Sequence, residues 1–357
     1  MRIMSISNIL VSWYESSKRD LPWRRTNDPY CIWISEVILQ QTRVNQGIDY
    51  YYRFLERFPD VFSLAKATEE EVLKLWQGLG YYSRARNLHS AARMVVDKFN
   101  GVFPGSFEGL KQLKGVGEYT AAAIASISFG ESVPVIDGNV ARVLSRLYAI
   151  EEAVNSSAGL KMLRSTAEEL IRGMNPAQFN QAIMEFGALQ CKPVNPDCSV
   201  CPLQSECLAF KRKIFDVLPF KVKKTKVREL YIYYFVLISG RGKQGSIVLN
   251  KRTAEGIWKN LYDFPSLESE KEIELPDLLK SPVAVSLFGD SEPEIISISG
   301  EYLHQLSHKS IKARFIKIRI SENVDSQSLF FKTDFTKLQQ YPVSRLISRF
   351  LEAESLY

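Results

Sequence analysis

Four of the five cysteines lie within seventeen residues (191–207), and this cluster constrains the fold more than any other feature of the chain. Its members are Cys191, Cys198, Cys201 and Cys207, whereas Cys31 stands apart. The start of the chain lacks the basic and long apolar segments of a secretory signal, so we expect a reducing cytoplasm and free thiols. Four thiolates at short, uneven spacing can ligate a zinc ion or an iron–sulfur cluster. The wide first gap and the distance to any histidine favour the cluster.

The composition is that of a globular protein with a basic balance. The 357 residues are enough for two or three domains, and the net charge of +6 permits a polyanionic partner without requiring one. Aromatic residues make up 11 % of the chain, and several lie beside arginines, a combination that suits base stacking and phosphate contact. No apolar run approaches the length of a membrane span, so we expect no membrane partner.

Helical patterns occupy the chain up to about residue 220. Thr68 and Glu71 form a capping-box pair, and the apolar stripe that follows Leu88 ends at Asn100-Gly101. Further helices are predicted over residues 32–41, 107–113, 121–129, 140–148 and 160–171.

The pattern changes beyond residue 220. Residues 221–228 are basic and lack periodicity, which is typical of a linker. Strand-forming residues follow at 230–239, 247–249 and 311–320, and a change of alternation at Phe315-Ile316 predicts a β-bulge. The sequence therefore predicts a multidomain protein: an all-α domain over 1–220, a linker over 221–228 and an α+β domain over 229–357.

Two glycines, Gly115 and Gly117, lie between predicted helices. Glycine permits a tight connection whose backbone N–H groups face outward at the start of the next helix, where a phosphate can bind. The spacing indicates a helix-hairpin-helix DNA clamp, although an ordinary helix connection has the same glycines.

Two carboxylates stand in contrasting surroundings. Glu36 is the only charged residue between Tyr30 and Thr42, so burial should raise its pKa and let it act as a general acid. Asp137 follows an apolar run and precedes a helix, which Asp137 or Asn139 is expected to cap. A carboxylate held ionised there can face a cationic transition state, and the pair is the arrangement that breaks glycosidic bonds.

Taken together, these residues resemble the helix-hairpin-helix DNA glycosylase superfamily, specifically its MutY-type adenine glycosylases. The resemblance covers nearly the whole chain. It rests on the cysteine spacing, the hairpin, and the segments Leu21-Pro-Trp-Arg24, Ser35-Glu36-Val, Gln40-Gln41-Thr42 and Asp137-Gly-Asn139. It implies a [4Fe–4S] cluster on the cysteines of loop 191–207, within the helix-hairpin-helix glycosylase domain.

The resemblance also implies roles for the catalytic residues. Glu36 would protonate adenine, Asp137 would stabilise the cationic sugar, and Asn139 would fix the water or the nearby carboxylate. Relatives similar to endonuclease III carry a nucleophilic lysine where this chain has Tyr119, so a Schiff base cannot form there. Tyr119 would instead orient Asp137, and the enzyme would remove the base without nicking the strand.

The implied DNA contacts are spread along the chain. Gln41 and Tyr81 would wedge into the duplex, while Arg19, Trp23 and Arg24 would line the adenine pocket. The remaining DNA-contacting residues would be Thr42, Leu79, Gly115 and Gly117.

The C-terminal domain resembles a Nudix-like lesion-recognition domain. It shows no Arg-Glu-x-x-Glu-Glu signature near Leu267, so it should bind without hydrolysing. Ser307 and His308 would contact 8-oxoguanine, and Leu306 replaces the family's usual Phe beside them. Gln181 stands where some relatives carry Glu near the adenine.

The predicted protein is therefore an adenine DNA glycosylase of base excision repair, a hydrolase of N-glycosyl bonds. Its expected partner is double-stranded DNA with adenine opposite 8-oxoguanine or guanine, and we expect a cytoplasmic, nucleoid-associated monomer. The alternatives are a pyrimidine or thymine-mismatch glycosylase and a DNA-binding iron–sulfur protein without turnover. The extra C-terminal domain disfavours the first, and the joint presence of Glu36, Asp137 and Tyr119 disfavours the second.

Overall fold

The computed structural model describes residues 2–222, 227–240, 245–289, 292–320 and 330–355. It divides into two compact units. The first contains Met1–Ala67 and Asn87–Lys223, and the second contains Thr68–Arg86 and Lys224–Tyr357. Residues 223–226 of the predicted linker lie outside the described residues.

The first unit is helical, as predicted. Side-chain caps begin several of its helices: Asp28 accepts from the N–H of Tyr30 and is followed by Pro29, and Asp60 forms a capping box with Ser63. The helices are α1 (Arg2–Ser17), α2 (Pro29–Leu39), α3 (Val44–Arg57), α4 (Val61–Lys66), α5 (Glu69–Leu75, in the second unit), α6 (Ser83–Phe99, shared by both), α7 (Phe107–Leu110), α8 (Glu118–Phe129), α9 (Gly138–Tyr148), α10 (Ser157–Ile171), α11 (Pro176–Leu189) and α12 (Leu208–Lys211).

The predicted helices all occur, with small differences at their ends. The Thr68–Glu71 capping box begins α5, and α6 ends at Phe99 before the left-handed pair Asn100-Gly101. Helix α2 ends two residues before the predicted Gln41, whose φ of 57° is incompatible with a right-handed helix.

One hydrophobic core of the first unit joins α1, α9, α10 and α11. Its buried members include Leu10, Leu144, Leu163 and Phe186. Each such side chain stabilises the fold by roughly 1.5–3 kcal/mol relative to exposure. This packing fixes α9 and α11 against each other, and both helices contribute to the candidate site.

The second unit is built on a mixed sheet. Strands β1 and β7 pair in parallel, and the other strand pairs are antiparallel. The strands are β1 (Arg228–Ser239), β2 (Ser246–Lys251), β3 (Tyr262–Asp263), β4 (Ser266–Ser269), β5 (Glu294–Ile298), β6 (Tyr302–Gln305), β7 (Lys309–Arg319) and β8 (Phe330–Asp334). The main path runs β3-β2-β1-β7-β5, and the helices are α13 (Leu275–Leu279), α14 (Pro282–Phe288) and α15 (Arg345–Ala353).

The predicted bulge at Phe315-Ile316 is wrong. Strand β7 pairs with β1 in unbroken register through both residues, and the irregularity lies in β5, between Ile295 and Ser297. Phe315 and Ile316 are both buried because the sheet is covered on both faces, so the two apolar neighbours need no change of phase.

Within the described residues, every helix is too short or too polar to span a bilayer.

Candidate active site

A cavity of about 210 Å³ in the first unit collects residues from distant parts of the sequence. Helices α2, α8, α9 and α11 each contribute to its wall, together with the segment after α1. Eight of the predicted site residues line it: Arg19, Trp23, Arg24, Glu36, Thr42, Tyr119, Asp137 and Asn139.

Glu36 is the buried acid of this cavity. Its residue surface is 6 % exposed, and one carboxyl oxygen, Oε2, has no hydrogen-bond partner among the residues that the structure describes. Burial raises the pKa of Glu36 to about 7, and nearby Asp137 adds to the shift, while the Tyr119 hydroxyl and Arg24 oppose it. Near neutral pH the carboxyl group therefore holds a proton for part of the time and is free to donate it.

Asp137 caps α9, which settles the question of which residue does so. One carboxyl oxygen accepts from the backbone N–H of Val140 at 2.7 Å, and the other accepts from Asn139 Nδ2 at 2.8 Å. Burial raises the pKa of Asp137, whereas these donors and Arg142 oppose the shift by stabilising the anion. A carboxylate with directed donors and a helix N-terminus behind it is suited to face positive charge.

Arg142 fixes Asn139 in turn. Its guanidinium donates to Asn139 Oδ1 at 2.8 Å, to the carbonyl of Gly187 at 2.7 Å and to that of Cys191 at 2.8 Å. Asn139 therefore presents its amide to Asp137 in one orientation.

Glu185 is a central residue of the cavity that the sequence analysis did not select. It is 1 % exposed, and the guanidinium groups of both Arg19 and Arg24 grip its carboxylate at 2.6–2.9 Å. These hydrogen bonds lower the pKa of Glu185 to about 2 against the effect of burial. Arg19 and Arg24 both line this cavity, and each directs two donors at Glu185.

The spacing of residues along α11 is the sequence signal that could have identified Glu185. Gln181, Met184, Glu185 and Ala188 recur at helical intervals, and all four line the cavity. Gln181 accepts a hydrogen bond from the Tyr14 hydroxyl, so its amide is held at the cavity wall.

Gly187 is a second residue that the sequence analysis missed. A Cβ added there would lie 2.7 Å from Asn139 Cβ and 2.9 Å from the Asn139 carbonyl oxygen. Glycine at this position therefore lets α11 approach the start of α9 and the Asp137 site.

The glycine hairpin forms the connection between α7 and α8. Gly115 has a φ of 78°, and a Cβ there would lie 2.6 Å from Asn87 Cβ, so glycine is required for two reasons. Gly117 precedes α8 and supplies no side-chain cap, which leaves the first N–H groups of that helix available to an anion.

Gln41 does not line the cavity. It lies just beyond α2, exposed and in a left-handed conformation.

The four clustered cysteines line a second cavity of the first unit. Arg146 donates to Cys191 Sγ at 3.4 Å, and backbone N–H groups lower the pKa of Cys201 and Cys207 against the larger effect of burial. No three His, Cys, Asp or Glu side chains in the described ranges are grouped so as to hold a metal ion. A single zinc requires sulfurs within about 4 Å of one another, because Zn–S bonds are about 2.3 Å long. In the described ranges the four thiols therefore share one cavity without the close grouping that a single zinc ion requires.

A cavity of about 430 Å³ in the second unit joins two other predicted segments. Its wall includes Leu79 and Tyr81 from the connection between α5 and α6, and Ser307 and His308 from the turn between β6 and β7. Tyr81 is 48 % exposed, and the Ser307 hydroxyl lies 3.2 Å from His308 Nδ1.

Two arginines near Tyr81 donate hydrogen bonds to backbone carbonyls of the second unit. Arg84 donates to the carbonyls of Leu79 and Gly80, and Arg86 donates to that of Lys259. Burial lowers the pKa of Arg84 to about 10. These contacts hold the loop that carries Tyr81.

Comparison with known proteins gives consistent matches for both units. Residues 34–173 match the family described as HhH-GPD superfamily base excision DNA repair protein, and residues 233–353 match the NUDIX domain. The adenine DNA glycosylase of Buchnera aphidicola subsp. Baizongia pistaciae is 36 % identical over 315 residues, covering 88 % of this chain and 86 % of that protein. The human adenine DNA glycosylase is 48 % identical over 212 residues, covering 57 % of this chain and 39 % of the human one. The solved structure of a thermostable thymine-DNA glycosylase has a TM-score of 0.55 at 29 % identity, covering 59 % of this chain and 97 % of its own.

Proposed function

The chain belongs to the adenine DNA glycosylase family, and from that premise we propose that it excises adenine paired with 8-oxoguanine or guanine by the chemistry of Glu36 and Asp137. It is a DNA glycosylase of base excision repair. The observation that carries the proposed mechanism is that one cavity holds a partly protonated carboxyl group and a donor-bound carboxylate.

The adenine must leave the base stack before it can react. An N-glycosidic bond inside a duplex is out of reach, so the nucleotide turns into the cavity. Gln41 and Tyr81 are exposed residues suited to fill the gap, and the N–H groups after Gly117 are suited to hold a phosphate.

Glu36 then protonates N7 of the adenine. The neutral acid has an unpaired oxygen and a pKa near the working pH, which suits proton donation. Protonation turns adenine into a better leaving group, and the sugar acquires oxocarbenium character as the bond breaks. The ionised Glu36 is then the base that activates water.

Asp137 stabilises the sugar cation or adds to it transiently. Its two bonds from Asn139 and Val140 keep the carboxylate oriented, so little reorganisation is needed when charge develops. Tyr119, which lies beside both carboxyl groups, positions Asp137 and cannot form a Schiff base.

Glu185 with Arg19 and Arg24 forms the fixed polar wall against which the base is held. The paired charges keep this buried carboxylate ionised, so it is an acceptor and Glu36 is the proton donor. Two carboxyl groups of one cavity thus differ in protonation because their partners differ.

The four cysteines of loop 191–207 would hold a [4Fe–4S] cluster. The shared cavity and the Arg146 donor support this assignment. The cluster, when bound, supplies a rigid cross-link of the loop, and no catalytic step depends on it. Iron analysis and visible absorbance of protein purified without oxygen test it, with four irons per chain expected and zinc alone contradicting it.

The cavity of the second unit is proposed to recognise the base opposite the adenine. Ser307 and His308 offer polar atoms, and Tyr81 offers an exposed ring for stacking. The proposed partner is double-stranded DNA with an 8-oxoguanine·adenine or guanine·adenine pair. We propose that the protein binds it as a monomer.

The mechanism is tested by comparing Asp137→Asn with Asp97→Asn, which removes an exposed carboxylate of α6. Single-turnover cleavage is followed on duplexes with adenine opposite 8-oxoguanine, guanine or cytosine, using alkali to reveal abasic sites. We expect Asp97→Asn to match the unmodified protein and Asp137→Asn to lose on the order of 100-fold or more, as when a group that stabilises transition-state charge is removed. Equal rates for the two variants would refute the role of Asp137.

A further inference from the structure

Trp258 has an unusual backbone conformation at the wall of the second unit's cavity. Its φ is 61°, a left-handed value that costs a bulky residue about 1–3 kcal/mol. Two backbone bonds hold the conformation: the N–H of Leu261 donates to the Trp258 carbonyl at 3.0 Å, and the N–H of Asn260 donates to that of Arg252 at 2.7 Å.

The indole ring of Trp258 is held between two side chains. It is 8 % exposed, lines the cavity and meets the His304 imidazole edge-on, with centroids 5.6 Å apart and an interplanar angle of 61°. The Arg252 guanidinium lies 6.0 Å from the indole centroid, at the limit of a cation–π contact.

Arg252 is itself anchored. It donates to buried Asp263 at 2.9 Å and to Glu268 at 2.6 Å, and Asn250 donates to the other oxygen of Asp263 at 2.9 Å. Arg252 is half-buried and paired with two carboxylates, so its displacement would leave the buried carboxylate of Asp263 without its cationic partner. The two carboxylates therefore fix the Arg252 guanidinium beside the indole.

His304 leads directly into the turn that carries Ser307 and His308. It pairs with Ile311 across the β6–β7 hairpin, and the N–H of Leu306 closes the turn on the Lys309 carbonyl at 2.8 Å. Burial and Arg349 lower the pKa of His304, so its ring is neutral and packs against the indole without bringing a charge.

We propose that Trp258 is a positioning residue for lesion recognition: its indole holds His304, and through it the 306–308 turn, where the opposite base is distinguished. The inference rests on the proposed role of this cavity in reading that base. An oxidised guanine differs from guanine at one edge, where N7 carries a hydrogen and C8 carries an oxygen. A small displacement of Ser307 and His308 would therefore weaken binding to 8-oxoguanine more than binding to guanine.

The test measures binding, since a merely structural role would lower both affinities alike. The full chain is titrated with two duplexes that hold an uncleavable tetrahydrofuran abasic analogue, one opposite 8-oxoguanine and one opposite guanine. The variants are Trp258→Leu, Trp258→Phe and the control Ile298→Ala, which alters an exposed residue of β5. Near-UV circular dichroism and Tm establish that each variant is folded.

We define the discrimination ratio as the dissociation constant for the guanine duplex divided by that for the 8-oxoguanine duplex. We expect Trp258→Leu to lower this ratio by roughly 5-fold, which corresponds to the free energy of one aromatic pair. Trp258→Phe should retain more than half of the ratio, and Ile298→Ala all of it. His304→Ala added to Trp258→Leu should cause little further loss, because the two act as one unit.

An unchanged ratio in Trp258→Leu, or an equal fall in both affinities, overturns the inference while the glycosylase function stands. A protein that binds the two duplexes equally before any substitution overturns both the inference and the proposed role of the cavity.

Discussion

At the scale of single residues, the chemistry depends on how differently two buried carboxyl groups are partnered. Glu36 has an unpaired oxygen and a pKa of about 7, whereas Glu185 is gripped by two arginines and has a pKa of about 2. The cause is local: burial alone raises a carboxyl pKa, and directed cationic donors reverse that effect. One cavity thereby holds an acid and an anion at the same pH.

The pH profile of bond cleavage follows from this difference. Glu36 must hold its proton before adenine leaves, so the single-turnover rate should fall as pH rises through about 7, tending to about tenfold per unit. Burial also raises the pKa of Asp137, so a second fall is expected in acid, where Asp137 gains a proton. Quenched-flow measurements from pH 5 to 9 check this, and a rate independent of pH above 7 would contradict it.

Replacing Tyr119 with lysine tests the placement of that residue. An amine beside Asp137 should attack the sugar and form a Schiff base, so Tyr119→Lys should nick the strand and give a borohydride-trapped adduct. Denaturing gels with and without borohydride measure both products. If neither product forms although the variant still removes adenine, Tyr119 does not face the sugar.

The sequence was informative about residues whose neighbours in the chain reveal their environment. Glu36 stands in an apolar stretch and Asp137 precedes a helix, and both features survive in the structure. Glu185 and Gly187 could not be predicted as site residues from the sequence. Glu185 is bonded to Arg19 and Arg24, and Gly187 packs against Asn139, and all these partners are distant in sequence. The hydrogen bond from Arg86 to the carbonyl of Lys259 likewise joins residues that are distant in sequence.

At the scale of elements, α9 contacts both the candidate active-site cavity and the cysteine loop 191–207. Its N-terminus carries Asp137 and Asn139, and its buried Arg146 donates to the carbonyls of Leu218, Lys192 and Pro193. The helix therefore supports the cysteine loop as well as the cavity.

Arg146→Met should loosen that loop. Without Arg146 the buried carbonyl of Leu218 is left unpaired, at about 1–3 kcal/mol, and the carbonyls of Lys192 and Pro193 in the loop lose their donor. We expect fewer irons per chain and a Tm lower by roughly 5 °C or more. Arg172→Met, at an exposed position after α10, is the matched control. Unchanged iron content and Tm in Arg146→Met would contradict this account of the loop.

Elements were predictable where a local signal begins or ends them. The Thr68–Glu71 box and the Asn100-Gly101 stop both appear as expected. The predicted bulge at Phe315-Ile316 was wrong because β7 has no solvent-exposed face. In such a strand a break in the alternation of apolar and polar residues does not indicate a bulge.

At the scale of the whole molecule, the chain crosses between its two units more than once. Thr68–Arg86 belongs to the second unit, where Lys74 donates to the Tyr341 carbonyl and the Tyr82 hydroxyl donates to that of Val343. No local pattern could reveal this, because the partners lie near the other end of the sequence.

Removing the part of the second unit that follows residue 222 should therefore expose Thr68–Arg86. In a chain that ends at residue 222, Lys74 and Arg86 lose partners supplied by residues 259–343, and trypsin should cut there roughly 10-fold faster than in the full chain. Mass spectrometry of timed digests identifies the sites. Equal cleavage rates in the two chains would show that the segment is held without those partners.

The most direct test of the central claim is adenine release by Glu36→Gln, measured under single-turnover conditions beside duplex binding. The amide keeps the size of the acid but has no proton to give, so adenine release should be abolished while the dissociation constant for the duplex stays within about threefold. Glu56→Gln, at an exposed position of α3, should behave as the unmodified protein. Near-normal release by Glu36→Gln would contradict the assignment of Glu36 as the general acid.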